Sequence, residues 1–223
     1  MEVVDKYINS LEISGLKRHV FHPEGKNPLV VYVVEGSESS SKNIMMYGHL
    51  DKQPWGPGWE EGLHPTDPQI RGDYMYGRGS SDDGYSAFSC MMAVKTIQNA
   101  GGKLPRVVLV LETEEESGSP NLLDLLALAE PVIQKPDVCF CMDSGAIDYE
   151  RLWLTSSLRG ICIVDCKVEA AVRGYHSGET GGVLPETFRI MRQLLNRLDN
   201  PDTGRVCDEL QVDVPAHKRQ EAE

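Results

Sequence analysis

Ile44-Met45-Met46-Tyr47-Gly48-His49-Leu50-Asp51 is the stretch that decides how the rest of the chain is read. Four apolar residues in a row read as a buried strand. The run stops at Gly48, and a histidine and a carboxylate follow, two residues apart. One ring nitrogen of His49 is then free to bind a metal. Asp51 accepts a hydrogen bond from the other, or orients it indirectly, and so fixes the tautomer. The competing reading is an ordinary polar loop histidine, and what surrounds the stretch decides between them.

Outward from this point, strand signals alternate with helical ones. Residues 28–34 (P-L-V-V-Y-V-V) are β-branched and bounded by turn residues, and residues 42–47 carry the strand just described. Residues 106–111 (R-V-V-L-V-L) are fully apolar, as in a central parallel strand. Residues 136–142 (P-D-V-C-F-C-M) are the next strand, and residues 74–77 a short one. Apolar residues at helical spacing predict helices over 2–11 and 86–100, the latter with an apolar face of Phe88, Met91, Met92, Val94 and Ile97. A further helix is expected over 121–129. Residues 37–42 form a serine-rich turn, and residues 53–73 a loop rich in Pro, Gly and acid that holds Trp55 and Trp59. The alternation predicts an α/β fold with a mainly parallel sheet and helices on both faces. Ligands of such sheets sit at the carboxyl ends of the strands. His49, Asp82, Glu115, Glu116 and Asp143 all fall at or just after strand ends, so one rim can gather them.

Composition shifts near Leu152. Residues 151–155 and 160–170 read as antiparallel-type strands, alternating in Ile161, Ile163, Asp165 and Val168. Residues 172–178 read as a turn, and 185–198 as a helix with Pro185 in its first turn. This is the start of a second, smaller α+β domain. Residues 200–223 are polar and charged.

The whole chain sets limits on function. Its 223 residues, 40% apolar and 25% charged, suit a globular protein. A formal net charge of −12 excludes the basic footprint of a nucleic-acid-binding face. Part of that excess is expected to be a carboxylate cluster neutralised by cations. The six cysteines include no C-x-x-C pair, and most sit in apolar sequence, as buried thiols in a reducing compartment would. The N-terminus has neither a basic nor an apolar leader region, and no apolar run approaches the roughly 18 residues of a membrane span. The expectation is a cytoplasmic protein with no nucleic-acid or membrane partner.

The chemistry lies in the carboxylates. Four glutamates crowd residues 112–116. Glu112 and Glu114 read best as a solvated turn. Glu115 and Glu116 leave a turn in different directions, so one can bind a metal while the other faces a water as general base. Asp82 or Asp83 can cap the helix that follows, and Asp143 can be an ordinary turn aspartate. Carboxylates with imidazole suit Zn²⁺, and Mn²⁺ or Co²⁺ less specifically. Two such ions sharing a carboxylate are a sufficient design for hydrolysing an amide.

The pieces Y-G-H-L-D, G-W-E, Y-G-R-G-S-S-D-D-G, E-E-S-G-S, L-R-G-I-C and H-S-G occur in this order. The set resembles the co-catalytic zinc exopeptidases that include carnosinase and cytosolic non-specific dipeptidase. More distant members are glutamate carboxypeptidase, acetylornithine deacetylase, succinyl-diaminopimelate desuccinylase and aminoacylase. The resemblance runs from about Lys42 to Leu198. It implies a two-zinc centre: His49 a ligand of the first ion with Asp51 orienting it, Asp82 bridging both ions, Asp143 completing the first and Glu116 binding the second. It makes Glu115 the general base. It makes His176 the lid-domain histidine that, in dimeric members, reaches the partner subunit's active site and stabilises the oxyanion; the plainer reading of His176 is a polar turn histidine. Residues 1–157 would then be the N-terminal part of the catalytic zinc-binding domain, and 158–223 an incomplete lid and dimerisation domain. The implied substrates are dipeptides or short peptides, with dipeptidase or carboxypeptidase-like action and a homodimer when complete. Asp143, where the deacylases usually have Glu, favours the dipeptidase branch. N-acyl amino acid deacylation or desuccinylation is the alternative, and a non-catalytic metal-binding fragment a third.

Two departures stand out. The resembled pattern is D-D-K-G, whereas Gly84 and Tyr85 follow Asp83 here, so the lysine is missing. The segment that returns from the lid and supplies the last ligand of the second zinc is not found either, and His217, in a charged stretch, is a poor substitute. The chain therefore reads as the N-terminal half to two-fifths of such an enzyme.

Overall fold

A computed structural model describes residues 1–37 and 41–222. The expected serine-rich turn at 37–42 falls partly outside the described residues. The chain divides into two compact units, Met1–Ser156 and Ser157–Glu223.

The first unit is built on a five-stranded sheet. Its strands are β1 (Leu16–Phe21), β2 (Leu29–Val34), β3 (Asn43–His49), β6 (Arg106–Glu112) and β7 (Val138–Cys141), in spatial order β1-β2-β6-β3-β7. A separate hairpin pairs β4 (Gln69–Arg71) with β5 (Tyr74–Tyr76). β6, β3 and β7 run parallel, with His49 opposite Glu112 and Tyr47 opposite Cys141. β2 and β1 continue the sheet antiparallel. The strands that end at the expected rim are thus the parallel ones.

Helices cover both faces. α1 (Glu2–Ser10) and α2 (Tyr85–Asn99) lie on one side, and α3 (Leu122–Ile133) on the other. β2 shows the reason in its sequence. All six of its residues are buried. Val30, Tyr32 and Val34 face α1 and α2, and Leu29, Val31 and Val33 face α3, because successive side chains of a strand point to opposite faces. α2 presents Ala87, Cys90, Met91 and Val94 to the core. Met92 and Ile97, expected on that face, are exposed. The small residues Ala87 and Cys90 let the helix settle closely on the sheet, which turns its buried stripe away from Met92. α3 runs past the expected end and through Pro131. Its terminal carbonyls are satisfied from outside: the Arg106 guanidinium donates to Val132 O (2.5 Å) and Ile133 O (2.8 Å), and Asn43 Nδ2 also donates to Ile133 O (3.0 Å).

β1 was not expected. Its Lys17-Arg18-His19 hides the strand in the sequence, yet charged residues are at home on an edge. Arg18 anchors it by a forked ion pair to Asp5 of α1, at 2.6 and 2.8 Å.

Two further expectations fail. Cys139, Cys141, Cys162 and Cys166 are exposed, Cys207 is half-buried, and Cys90 alone is buried. β7 is an edge strand with all four residues exposed, and apolar strands are buried only where other elements cover them. Residues 151–155 and 160–170 form no strand. Alternation makes a strand only when a partner accepts its backbone hydrogen bonds, and none is formed there among the described residues. The second unit holds α4 (Ser177–Thr180), α5 (Thr187–Leu195) and α6 (Ala216–Ala222). Among the described residues no helix is long and apolar enough to cross a membrane.

Candidate metal centre

β3 delivers His49 to the rim fully buried. Its backbone N–H donates to Asp83 Oδ2 at 3.0 Å. Nδ1 lies 3.1 Å from the Asp51 carbonyl oxygen and 3.5 Å from Asp51 Oδ1. A carbonyl only accepts, so Nδ1 carries the proton and Nε2 is left with its lone pair. Nε2 faces oxygens alone: Asp82 Oδ1 at 3.2 Å, Asp143 Oδ2 at 3.5 Å and Glu115 Oε2 at 3.9 Å.

Two sets of three ligand atoms, each within 4.8 Å of one another, share this histidine: His49 with Glu115 and Asp143, and His49 with Asp82 and Glu116. Lone pairs pointed at lone pairs at these distances require a proton or a cation between them. An imidazole nitrogen among hard carboxylate oxygens suits Zn²⁺, Mn²⁺ or Co²⁺. The residues fit a metal site on their donor chemistry.

Asp51 has a second task. Its Oδ1 and Oδ2 accept the backbone N–H groups of Glu115 (3.1 Å) and Glu116 (2.9 Å) at the start of a single 3₁₀ turn, Glu115–Ser117. One side chain therefore fixes the turn that presents both glutamates, while its carbonyl holds His49. Gln53 orients Glu116 further, donating from Nε2 to Oε2 at 2.7 Å.

The protonation of the cluster follows from its crowding. Burial raises the pKa of Glu115 above the usual carboxylate range, with Asp143, Glu116 and Glu112 adding to it against the opposing charge of His49. Burial likewise raises Asp143, again opposed by His49. For His49 burial works downward, but the bond to the Asp51 carbonyl and the charges of Asp143, Glu115 and Asp83 outweigh it, so its pKa is raised. Lys52 is lowered by burial, against the pull of Asp83, Asp51, Asp82 and Glu116.

The sequence misplaces two participants, and of the two candidate caps for α2 the structure selects Asp83. Glu112 is buried, not a solvated turn residue: it accepts from Tyr47 Oη and from Ser119 Oγ (2.9 Å). Glu114 accepts from Asn27 Nδ2 (2.9 Å) and Asn121 Nδ2 (2.8 Å). Both carboxylates brace the acidic turn, each held by one residue seven positions on and by one from a distant segment, Tyr47 or Asn27. Asp83 is fully buried, accepting from His49 N, Ser86 Oγ (2.6 Å) and the Gly84 and Ser86 backbone N–H groups. It holds the start of α2 against β3, while Asp82 is left to face Nε2. His176 belongs to the second unit, where its Nδ1 accepts from Gly178 N at 3.1 Å as the cap of α4.

The fold and site define a class: an α/β protein with an imidazole–carboxylate cluster at the carboxyl rim of a parallel sheet. The comparisons make it specific. Residues 45–204 match Peptidase family M20/M25/M40, and the chain belongs to this family of metallopeptidases. It is 30% identical over 180 residues to the Cys-Gly metallodipeptidase dug1 of Schizosaccharomyces pombe, covering 78% of this chain and 37% of that protein. It is also 30% identical over 193 residues to the Beta-Ala-His dipeptidase of Mus musculus, covering 79% and 37%. Among solved structures it is similar to an M20 family metallo-carboxypeptidase from Sulfolobus solfataricus (TM-score 0.69, 20% identity, covering 98% of this chain and 50% of that one). Human carnosine dipeptidase 1 is also similar in fold (TM-score 0.62, 21% identity, covering 99% and 48%). The chain thus spans little more than a third of the length of the curated relatives it matches.

Proposed function

We propose that the protein acts in metal-dependent hydrolysis of the peptide bond of dipeptides or short peptides, with zinc as its metal. The observation that carries this is the convergence of Asp82, Asp143 and Glu115 on His49 Nε2, with Glu116 joining through Asp82. The relatives are named as dipeptidases, which supports the substrate class. In this reading His49, Asp82, Asp143 and Glu116 are the residues that would hold the divalent metal, Asp82 standing between His49 and Glu116. Bound divalent ions supply Lewis acidity and make water at the site acidic enough to react near neutral pH. Asp51 orients His49 and holds the Glu115–Glu116 turn. Glu115 takes a proton at its carboxylate from the attacking water and passes it to the leaving amine. His176 donates to the developing oxyanion from the partner subunit of a homodimer. Residues 1–157 form the metal-binding part and 158–223 part of a lid, in a cytoplasmic setting that free thiols tolerate.

The test is Glu115→Gln in the zinc-loaded protein. Loss of proton transfer predicts a fall in dipeptide turnover of about 10²–10⁴-fold, with zinc content unchanged. Near-normal turnover would remove Glu115 from the role of base. Faster hydrolysis of N-acyl amino acids than of dipeptides would instead make the protein a deacylase. A second reading has its own support: among the described residues the two candidate ligand sets hold a single histidine, His49. Zinc bound without turnover of either substrate class would establish a non-catalytic metal-binding role.

A further inference from the structure

We propose that Lys52 is a positioning residue that ties together the two turns carrying the metal ligands, and so sets how tightly the cluster holds its cation. The inference rests on the metal-centre reading above. Lys52 Nζ donates to Leu50 O (3.0 Å), Asp51 O (3.1 Å) and Asp83 O. An ammonium has three N–H donors, and all three are spent on backbone carbonyls. Two of these belong to the turn that leaves β3 after His49. The third belongs to the turn before α2, directly after Asp82. One cation therefore bridges the turn that carries the imidazole and the turn that carries the carboxylate facing it.

The Asp83 side chain closes the same junction from the other direction, through its bond to His49 N. The space for Lys52 is built in. A Cβ on Gly79 would stand 2.7 Å from Lys52 Cδ, so a side chain there would collide with the lysine stem. Gly79 also has φ +80°, a conformation that favours glycine. A Cβ on Gly84 would stand 3.6 Å from Nζ. Gly84 is the position after Asp83 at which the sequence departs from the resembled pattern by lacking a lysine. The structure brings a lysine ammonium to that turn from a different segment. An ammonium has no lone pair to offer a metal, and Lys52 Nζ is engaged by three carbonyls, so its influence on the cation passes through the placement of His49 and Asp82.

The experiment is a Co²⁺ titration of the full chain, read by visible absorption of the ion and accompanied by near-UV circular dichroism. Lys52→Met keeps the stem and removes the donors, and Lys52→Arg keeps donors and charge. The wild type is expected to bind Co²⁺ with ligand-field bands. Lys52→Met should weaken Co²⁺ binding about 10–100-fold, as loss of groups that orient metal ligands does, and alter the bands while the near-UV signal is kept. Lys52→Arg should recover most of the affinity. A Lys52→Met protein that titrates like the wild type, with the same bands, would overturn the proposal while leaving the metal centre standing. A Lys52→Met protein without near-UV signal would also overturn it, by making Lys52 a support of the whole unit. No Co²⁺ bands in the wild type would overturn the metal-centre reading and this one with it.

Discussion

Gly48→Ala tests how the sheet, α2 and the metal centre depend on one another. Gly48 is buried in β3 immediately before His49. A Cβ built there would lie 2.5 Å from Asp83 Oδ2 and 2.7 Å from Ser86 Cβ. Carbon atoms pack at about 3.5–4.0 Å, so the start of α2 must retreat by about 1 Å. That retreat acts on Asp83, whose Oδ2 accepts His49 N–H at 3.0 Å. Lengthened by the same amount, the contact no longer counts as a hydrogen bond, since N–H···O bonds run to about 3.2 Å. The cost has two parts. Overpacking a core costs about 1–3 kcal/mol. Losing a hydrogen bond to a charged acceptor costs about 1.5–3 kcal/mol. Replacing a strand glycine returns about 0.5–1 kcal/mol. The net loss is about 2–5 kcal/mol, a large share of the roughly 5–15 kcal/mol that stabilises a typical domain.

Urea unfolding reads this directly, as a lower midpoint at an unchanged slope. Ser86→Gly supplies the internal control. It removes the Ser86 contact partner, at about 1 kcal/mol of helix propensity plus about 1.5–3 kcal/mol for the lost Ser86 Oγ hydrogen bond to the Asp83 carboxylate. In a double-mutant cycle the two substitutions should then lose less together than apart, by at least about 1 kcal/mol. A Gly48→Ala protein within about 0.5 kcal/mol of the wild type would refute the reasoning, because it would mean that α2 is not held against β3 at this point.

Asp51→Asn keeps the shape of the side chain but can accept from only one of the Glu115 and Glu116 backbone N–H groups, so metal affinity or turnover should fall about 10–100-fold, and the lost charged hydrogen bond should lower the unfolding midpoint too; unaltered Zn²⁺ affinity and turnover would deny it that task. Metal affinity should also rise with pH. Protons compete with a cation for the same ligand atoms, the raised pKa values of His49, Glu115 and Asp143 strengthen that competition, and a metal must displace any proton held there. Co²⁺ affinity is therefore expected to fall as pH drops through the range above the ordinary histidine value, and a flat profile from pH 8 to 5.5 would contradict the assignment of His49 as a ligand. Cys90 should be the last thiol to react. Burial pushes its pKa up to about 11, so at pH 8 a thiol-specific reagent should spare it until the protein unfolds, and its prompt modification would show that α2 opens readily.

The candidate ligands were legible in the sequence for a physical reason. A parallel strand packed between helices and neighbouring strands carries a continuous apolar run, half-buried in β3 and buried in β6, and the first polar residue after that run stands at the rim. His49 after Met45-Met46-Tyr47-Gly48, and the glutamates after Val107–Leu111, are read this way without any structure. Glu112 shows where the rule stops. It looks like the first of the rim carboxylates, but it pairs across the sheet with His49 and is sealed by Tyr47 and Ser119. Only the register of β3 against β6 could have predicted that, and register is a property of two segments 63 residues apart. Asp82 and Asp83 make the same point within one dipeptide. Their sequence surroundings are nearly identical, yet one faces the imidazole and the other is buried beneath it, because Gly48 and Ser86 leave a recess for only one carboxylate. Lys52 was invisible for a related reason: nothing in H-L-D-K announces that its ammonium will reach a carbonyl 31 residues further on. The sequence of such a site reveals the groups that gather at the rim. The groups that aim them are chosen by contacts between distant segments, and those are where substitutions will separate metal binding from stability.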